Sequence, residues 1–237
     1  MTAMALPDDA GTVPEEGVPF TYPPASEQAE AAVAAARRLV TALLHAEKVP
    51  PAEMAELTRK LNGLADQAQA HVPPAEPRDR SWRKRPREEP ALRNPVNGRQ
   101  NAFAPGLRVR GLPDGSVSAE TTLDLLYEGP PGYVHGGVSA LLLDHLFGAA
   151  NYWAGAVGPT AELTLRYRRP VPLDVPLTLT AKQVSVDGRK LFTTGTIEAD
   201  GKACVTAEAL FIAMSDFGVH TEDGAPEDRA PEDGAPG

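Results

Sequence analysis

Gly129-Pro-Pro-Gly-Tyr-Val-His135-Gly-Gly-Val-Ser-Ala-Leu-Leu-Leu-Asp144-His-Leu-Phe-Gly148 joins a stiff Pro/Gly turn to a helix that is apolar almost all round. A helix of that kind is expected to be buried on most of its faces. Gly136 and Gly137 open it, which leaves backbone N–H groups and the positive end of the helix dipole accessible to an anion or a polarised carbonyl oxygen. This is the raw material of an oxyanion hole. The segment also carries a carboxylate, Asp144, seven residues past Gly137. At about 1.5 Å per residue the two are roughly 10 Å apart along the axis, too far for Asp144 to act on an atom held at its own helix start. If both ends serve one reaction, the site combines two copies of the helix across a dimer interface.

On the N-terminal side, from Leu107, the pattern has a period of two: Leu107, Val109 and Gly111 alternate with Arg108 and Arg110. Pro113-Asp114-Gly115 predicts a hairpin into a strand through Val117, Ala119, Thr121, Leu123 and Leu125. Past the helix, expected to end near Trp153 and Gly155, Ala161, Leu163, Leu165 and Tyr167 alternate with Thr160, Glu162, Thr164, Arg166 and Arg168. That is a half-buried strand. Leu177, Leu179 and Ala181 give way to Val184 and Val186, a slip of phase that predicts a bulge near Gln183. Asp187-Gly188 and Asp200-Gly201 predict two further hairpins, into Leu191 to Ala199 and Lys202 to Met214. The sum is α+β: two strands, a long buried helix, then four strands in meander, an antiparallel sheet wrapped round a helix over residues 107–214.

The rest of the 237 residues divides by composition. Residues 1–25 are Pro, Gly and acid, and disorder is expected. Ser26 can cap a helix carrying Val33, Ala36, Val40, Leu43 and Leu44 at helical spacing, stopped by Pro50. Pro51 can open a second helix with Met54, Leu57, Leu61, Leu64 and Ala68. Together, residues 26–72 predict a helical hairpin whose stripe packs on the main domain or on a second subunit, or caps a substrate channel. Residues 73–106 form an extended connector, with Trp82 and Phe103 as anchors. The acidic tail 215–237 repeats Gly-Ala-Pro-Glu-Asp and is expected to be disordered. A net charge of -9 argues against a nucleic-acid binder. The basic run from Arg78 to Arg99 is read as a solvated linker. The lone Cys204 allows no internal disulfide and no Cys-rich metal site, and fits a reducing compartment. Met1 to Ala10 lacks the pattern of a signal peptide, and no apolar run reaches membrane-span length. The expectation is a soluble cytoplasmic protein.

The order of elements and the motif together resemble the hotdog-fold acyl-CoA thioesterases, specifically the PaaI-like (phenylacetic acid degradation) family. The resemblance covers roughly Leu107 to Met214. It is carried by His135-Gly136-Gly137 with Asp144 nine residues after the histidine, by Thr160-Ala-Glu-Leu-Thr-Leu-Arg-Tyr-Arg-Arg-Pro-Val-Pro-Leu173, and by the two Asp-Gly hairpins. The Gly-Pro-Pro-Gly-Tyr-Val lead-in and the threonine sixteen residues past the aspartate look most like the branch containing mammalian mitochondrial long-chain acyl-CoA thioesterases. The resemblance implies a homodimer or homotetramer that hydrolyses acyl-CoA thioesters, with no metal or redox cofactor and with coenzyme A entering only as part of the substrate.

Carried over residue by residue, the Gly136 and Gly137 backbone, with His135, would polarise the thioester carbonyl. Asp144 of the partner chain would be general base or nucleophile, and Thr160 would orient water or the carboxylate. Arg168, Arg169, Arg189 and Lys190 would meet coenzyme A phosphates. Relatives often carry an asparagine six residues before the histidine, where this chain has Gly129, which leaves fewer side-chain donors. For each residue a plainer reading stands beside this one: His135 as the holder of its loop, Thr160 as a strand-start hydroxyl, and a buried Asp144 as a partner for backbone or tyrosine groups at an interface. His145 is read as core or interface. The alternatives at the level of the protein are a non-catalytic acyl-CoA-binding or interaction module, and a thioesterase for carrier-protein-bound acyl chains. There is no Gly-x-Ser-x-Gly elbow, Walker loop or metal-ligand spacing in the sequence.

Overall fold

The computed structural model describes residues 14–21, 25–74 and 92–214. The expectations for Trp82, the arginines from Arg78 to Arg87, the first thirteen residues and the tail 215–237 lie outside them. In chain order the elements are β1 (Val18–Pro19), α1 (Glu27–His45), α2 (Pro51–Gln69), β2 (Arg108–Gly111), β3 (Ser116–Thr121), a 3-10 turn (Leu125–Tyr127), α3 (Gly136–Trp153), β4 (Thr160–Tyr167), β5 (Leu177–Asp187), β6 (Lys190–Ala199) and β7 (Lys202–Ile212). The strands form one antiparallel sheet in the order β1-β2-β3-β5-β6-β7-β4. Its concave face holds α3, whose Leu142, Leu143, Leu146 and Phe147 are buried against Leu179, Leu191, Ile197 and Phe211. This is the hotdog arrangement.

The local rules that form these elements are visible in the turns. Asp200 and Gly201 both have positive φ, at 51° and 66°, the backbone a two-residue type I′ hairpin requires. The ladder between β5 and β6 slips between Gln183 and Ser185, where the phase of the sequence changes. The slip does not return the following valines to the core: Val184 and Val186 are about half exposed, at 54% and 51%. Here β5 has run past β3, whose last partner along it is Lys182.

Several expectations are corrected. Residues 14–21 are not disordered as a whole: β1 pairs with β2, and Phe20 is buried, its ring packing on Tyr152 and Trp153. A single aromatic side chain supplies the apolar area that the segment's composition concealed. The second predicted strand ends at Thr121, because Asp124 accepts the Leu126 N–H at 3.1 Å and starts the 3-10 turn. The last four strands are not a meander. β4 pairs with β7 at the sheet edge, and only β5, β6 and β7 follow one another. The connection from β4 to β5 contains Pro170, Pro172 and Pro176, which cannot supply the N–H groups of a tight hairpin. As an edge strand β4 has no buried residue.

The N-terminal helices form where expected, with Ser26 capping α1 through the Ala29 N–H and Pro51 opening α2. Of the two, α1 meets the main domain, at the 3-10 turn. Neither helix has a buried residue, and α2 makes no extensive contact with any other described element. The connector is not simply extended: Val96 is buried, and Asn94 caps the turn that holds it. Phe103 stays partly exposed but sets its ring edge against Tyr127 at 5.3 Å.

The join between α3 and the sheet contains one polar knot. Asn151, fully buried, accepts from Gln183 Nε2 at 3.0 Å and from Thr193 Oγ1 at 2.7 Å. Asn151→Leu strands both donors, each costing about 1–3 kcal/mol. Urea denaturation is expected to show a loss of roughly 2–4 kcal/mol, and Gln183→Ala a smaller one.

Candidate active site

The loop before α3 is fixed at each end. Val134 N–H donates to Val171 O at 2.9 Å, Leu173 N–H to Gly132 O at 3.1 Å, and the Glu128 carboxylate accepts the Gly132 N–H at 2.8 Å. The His135 N–H donates to Tyr127 O at 2.8 Å, which ties the start of the helix to the 3-10 turn. His135 then caps the helix itself: its backbone is extended and its Nδ1 accepts the Gly137 N–H at 3.0 Å. The N–H groups of Val138 and Ser139 both turn back to the His135 carbonyl. Among the described residues the Gly136 N–H is left without an acceptor. Of the groups assigned to the carbonyl from sequence, Gly136 is therefore open, while Gly137 and His135 satisfy one another.

Two features of this end were not read from sequence. The Tyr167 hydroxyl donates to Gly136 O at 2.8 Å and holds that peptide from outside. The alternation of β4 gives the face of Tyr167 but not its partner. A Cβ at Gly129 would lie 2.7 Å from His135 Cα, so an asparagine there requires the loop to move. The glycine is therefore more than a missing donor. Beside the helix start runs an open groove of about 350 Å³, lined by Tyr133, Gly136, Ser139, Tyr167, Arg168 and Arg169 among others. The Ser139 hydroxyl is buried and has no partner among the described residues.

The second half of the site lies further along α3. Thr160 Oγ1 donates to Asp144 Oδ1 at 2.7 Å. The chain returns from α3 to β4 through Gly158, where a Cβ would meet Ile212 O at 2.0 Å, and Ile212 N–H donates to Pro159 O at 3.1 Å. That close approach seats Thr160 over Asp144. The carboxylate is half-buried and the threonine exposed, so the pair faces out of the sheet's concavity rather than into the core. One unbroken helix separates the pair from Gly136, and within one chain the two halves do not meet.

Nor do the basic residues converge. Arg168 and Arg169 stand at the groove, with Arg169 donating to Ala203 O at 3.0 and 3.2 Å. Arg189 donates to Ala213 O at 3.0 Å, and Lys190 faces Ile212 in the ladder, at the end of the sheet where Thr160 faces Phe211. The four thus divide between the two half-sites.

Two family descriptions match the chain: "Thioesterase superfamily" over residues 131–206, and "Hypothetical protein RHA1_ro05818, N-terminal helical domain" over residues 20–77. The crystal structure of a thioesterase superfamily protein is 45% identical, with a TM-score of 0.72, and the alignment covers 83% of this chain and 96% of that one. The chain belongs to the thioesterase superfamily. Among curated proteins it is similar to acyl-coenzyme A thioesterase THEM4 of Xenopus laevis, 41% identical over 90 residues, and of Mus musculus, 38% identical over 89. The match covers 37% of this chain in both cases, and 40% and 38% of those proteins, so the chain spans about two fifths of their length. No helix among the described residues is long and apolar enough to cross a membrane.

His145, beside Asp144, is half-buried with its Nε2 enclosed and without a partner among the described residues, and burial pushes its imidazole down from 6.5 to about 4. The folded chain therefore holds it neutral, while the unfolded chain takes up a proton below about pH 6.5. Its contribution is intact above that pH and falls as pH descends towards 4, by roughly 3 kcal/mol at most. Urea titrations at pH 7 and 4.5 are expected to show a smaller acid loss in His145→Leu than in wild type.

Proposed function

We propose that the chain hydrolyses acyl-CoA thioesters at a site made from two copies of itself. The observation that carries this reading is the Thr160–Asp144 hydrogen bond at 2.7 Å on the accessible side of a helix whose opposite side is buried. A carboxylate there is held, oriented and reachable, as a group that handles water must be. The names of the curated relatives supply the substrate class, and the distance along α3 supplies the need for a second copy.

The thioester carbonyl oxygen takes the Gly136 N–H at the helix start, where the dipole favours the developing negative charge. Asp144 of the other copy accepts a proton from water as the water oxygen bonds to the acyl carbon. Collapse of the adduct breaks the C–S bond, and the sulfur leaves with the proton returned from Asp144. In the nucleophilic variant Asp144 itself bonds to the acyl carbon, the C–S bond breaks and the thiolate leaves to take a proton from solvent; water then cleaves the mixed anhydride to the free acid and the Asp144 carboxylate. Thr160 fixes the carboxylate in either case. Arg168 and Arg169 of one copy and Arg189 and Lys190 of the other offer positive charge for the coenzyme A phosphates. Assembly as a homodimer or homotetramer, and residence in the cytoplasm, belong to the same proposal.

One feature favours a different reading. With Gly129 in place of an amide and Gly137 capped by His135, the described residues leave one open donor at the carbonyl, which suits a protein that binds acyl-CoA without turning it over. Free-thiol release across acetyl- to palmitoyl-, phenylacetyl- and benzoyl-CoA separates the two. Hydrolysis is expected in wild type, with a loss of at least about a hundredfold in kcat for Asp144→Asn and a smaller loss, about tenfold, for Thr160→Ala, all remaining oligomeric. Equal rates for wild type and Asp144→Asn would remove Asp144 from the reaction, and binding without turnover would favour the other reading.

A further inference from the structure

The N-terminal helix α1 touches the thioesterase fold at a particular place. Its Arg37 reaches across to Tyr127, where Nη2 donates to the phenol oxygen at 2.7 Å and the guanidinium carbon lies 5.5 Å from the ring centre. Nη1 of Arg37 donates to the carbonyl of Ala104. The Tyr127 hydroxyl in turn donates to Phe103 O at 2.6 Å, and the side chain is almost fully buried at 1% exposure. A second clamp, Arg99 to Glu30 at 3.0 Å, holds α1 to the segment preceding β2.

Tyr127 is also the residue whose backbone carbonyl accepts the His135 N–H. It ends a 3-10 turn held by the Tyr127 N–H on Asp124 O at 3.0 Å and the Glu128 N–H on Leu125 O at 3.2 Å, so its ring and its carbonyl stand on one short, bonded piece of backbone. The path from the arm to the open donor is therefore short and made of observed bonds. It runs from the Arg37 guanidinium to the Tyr127 phenol and from the Tyr127 carbonyl to the His135 N–H, and His135 supplies the carbonyl of the peptide that carries the Gly136 N–H.

We infer that Arg37 is a positioning residue for the oxyanion turn: through Tyr127 it sets the orientation of His135 and so the direction in which the Gly136 N–H points. This rests on the proposed role of Gly136, but the coupling itself is a property of the fold. The N-terminal helical segment is then part of the site's construction and not an appendage to it. Arginine is suited to the task because one planar group satisfies a carbonyl and a phenol together and lies against the ring. A lysine supplies the charge without the fork.

Amide hydrogen exchange over residues 128–138, measured by mass spectrometry on the full chain, reads the coupling without reference to activity. Arg37→Ala and Tyr127→Phe are each expected to speed exchange there by roughly tenfold, with β5, β6 and β7 unchanged and Arg37→Lys intermediate. Tyr127→Phe carries the comparison if Arg37→Ala does not fold. Unchanged exchange in a folded variant overturns the inference. Where wild type turns over an acyl-CoA, kcat is expected to fall about tenfold or more in Arg37→Ala with KM little altered, because the carbonyl is misaligned and not released. A lower Tm with unchanged kcat overturns it also. If wild type hydrolyses nothing, the proposed function fails, and the exchange comparison still decides the coupling.

Discussion

A helix as apolar as α3 has to be enclosed, and the remainder of the fold is arranged by that requirement. Its buried stripe runs through Leu142, Leu143, Leu146, Phe147 and Ala150, and the sheet presents Leu179, Leu191, Ile197 and Phe211 to it. The strands β2 to β7 all meet the helix, and Phe20, directly after β1, packs on its C-terminal turn. A sheet with the usual right-handed twist curves round such a cylinder, and its outward positions are left to polar residues such as Thr180 and Thr196, which bond one another at 3.0 Å. Enclosure is nevertheless incomplete. Gly137, Ala140, Leu141 and Asp144 remain partly or wholly accessible, and the neighbouring edge strand β4 has no buried residue. The open side of the helix and the open edge of the sheet adjoin, and Asp144 and Thr160 stand where they meet.

The fold was largely legible because its signals are local. Alternation identified the strands, Asp-Gly pairs the hairpins, and the loss of phase after Ala181 the bulge between Gln183 and Ser185. Asp144 and Thr160 were legible as a pair only through the resemblance; the 2.7 Å contact depends on the backbone crossing at Gly158, which periodicity does not encode. The pairing of β4 with β7 was missed because strand order is a long-range property, and the prolines after Tyr167 exclude a hairpin without naming the strand that replaces it. The helices α1 and α2 were legible, yet most of the stripe read on them, Val40, Leu43, Leu44, Met54 and Leu64 among it, stays exposed in the single chain. Amphipathicity states that a face needs cover and does not say what provides it. The division of labour between Gly136 and Gly137 was hidden for another reason. Cap geometry turns on a side-chain rotamer of His135, and a histidine is not among the residues expected to cap.

That choice of cap shapes the chemistry available at the helix start. A serine or aspartate there would satisfy N–H groups equally well, but aspartate would place a negative charge where the carbonyl oxygen develops its own. Imidazole accepting at Nδ1 is neutral at that atom and must carry its proton on Nε2, so the cap adds no opposing charge. The helix dipole is thereby kept for the group that approaches Gly136, and Tyr167 holds the following peptide, between Gly136 and Gly137, by donating to its carbonyl. The peptide that carries the Gly136 N–H has the His135 carbonyl, which accepts from the Val138 and Ser139 N–H groups; donation to that oxygen polarises the peptide and strengthens the Gly136 N–H as a donor. Electrostatic preparation at one end of α3 and a held carboxylate further along it are complementary halves of a hydrolytic site. Their separation along a straight helix turns the geometry of a single element into a requirement for a second chain.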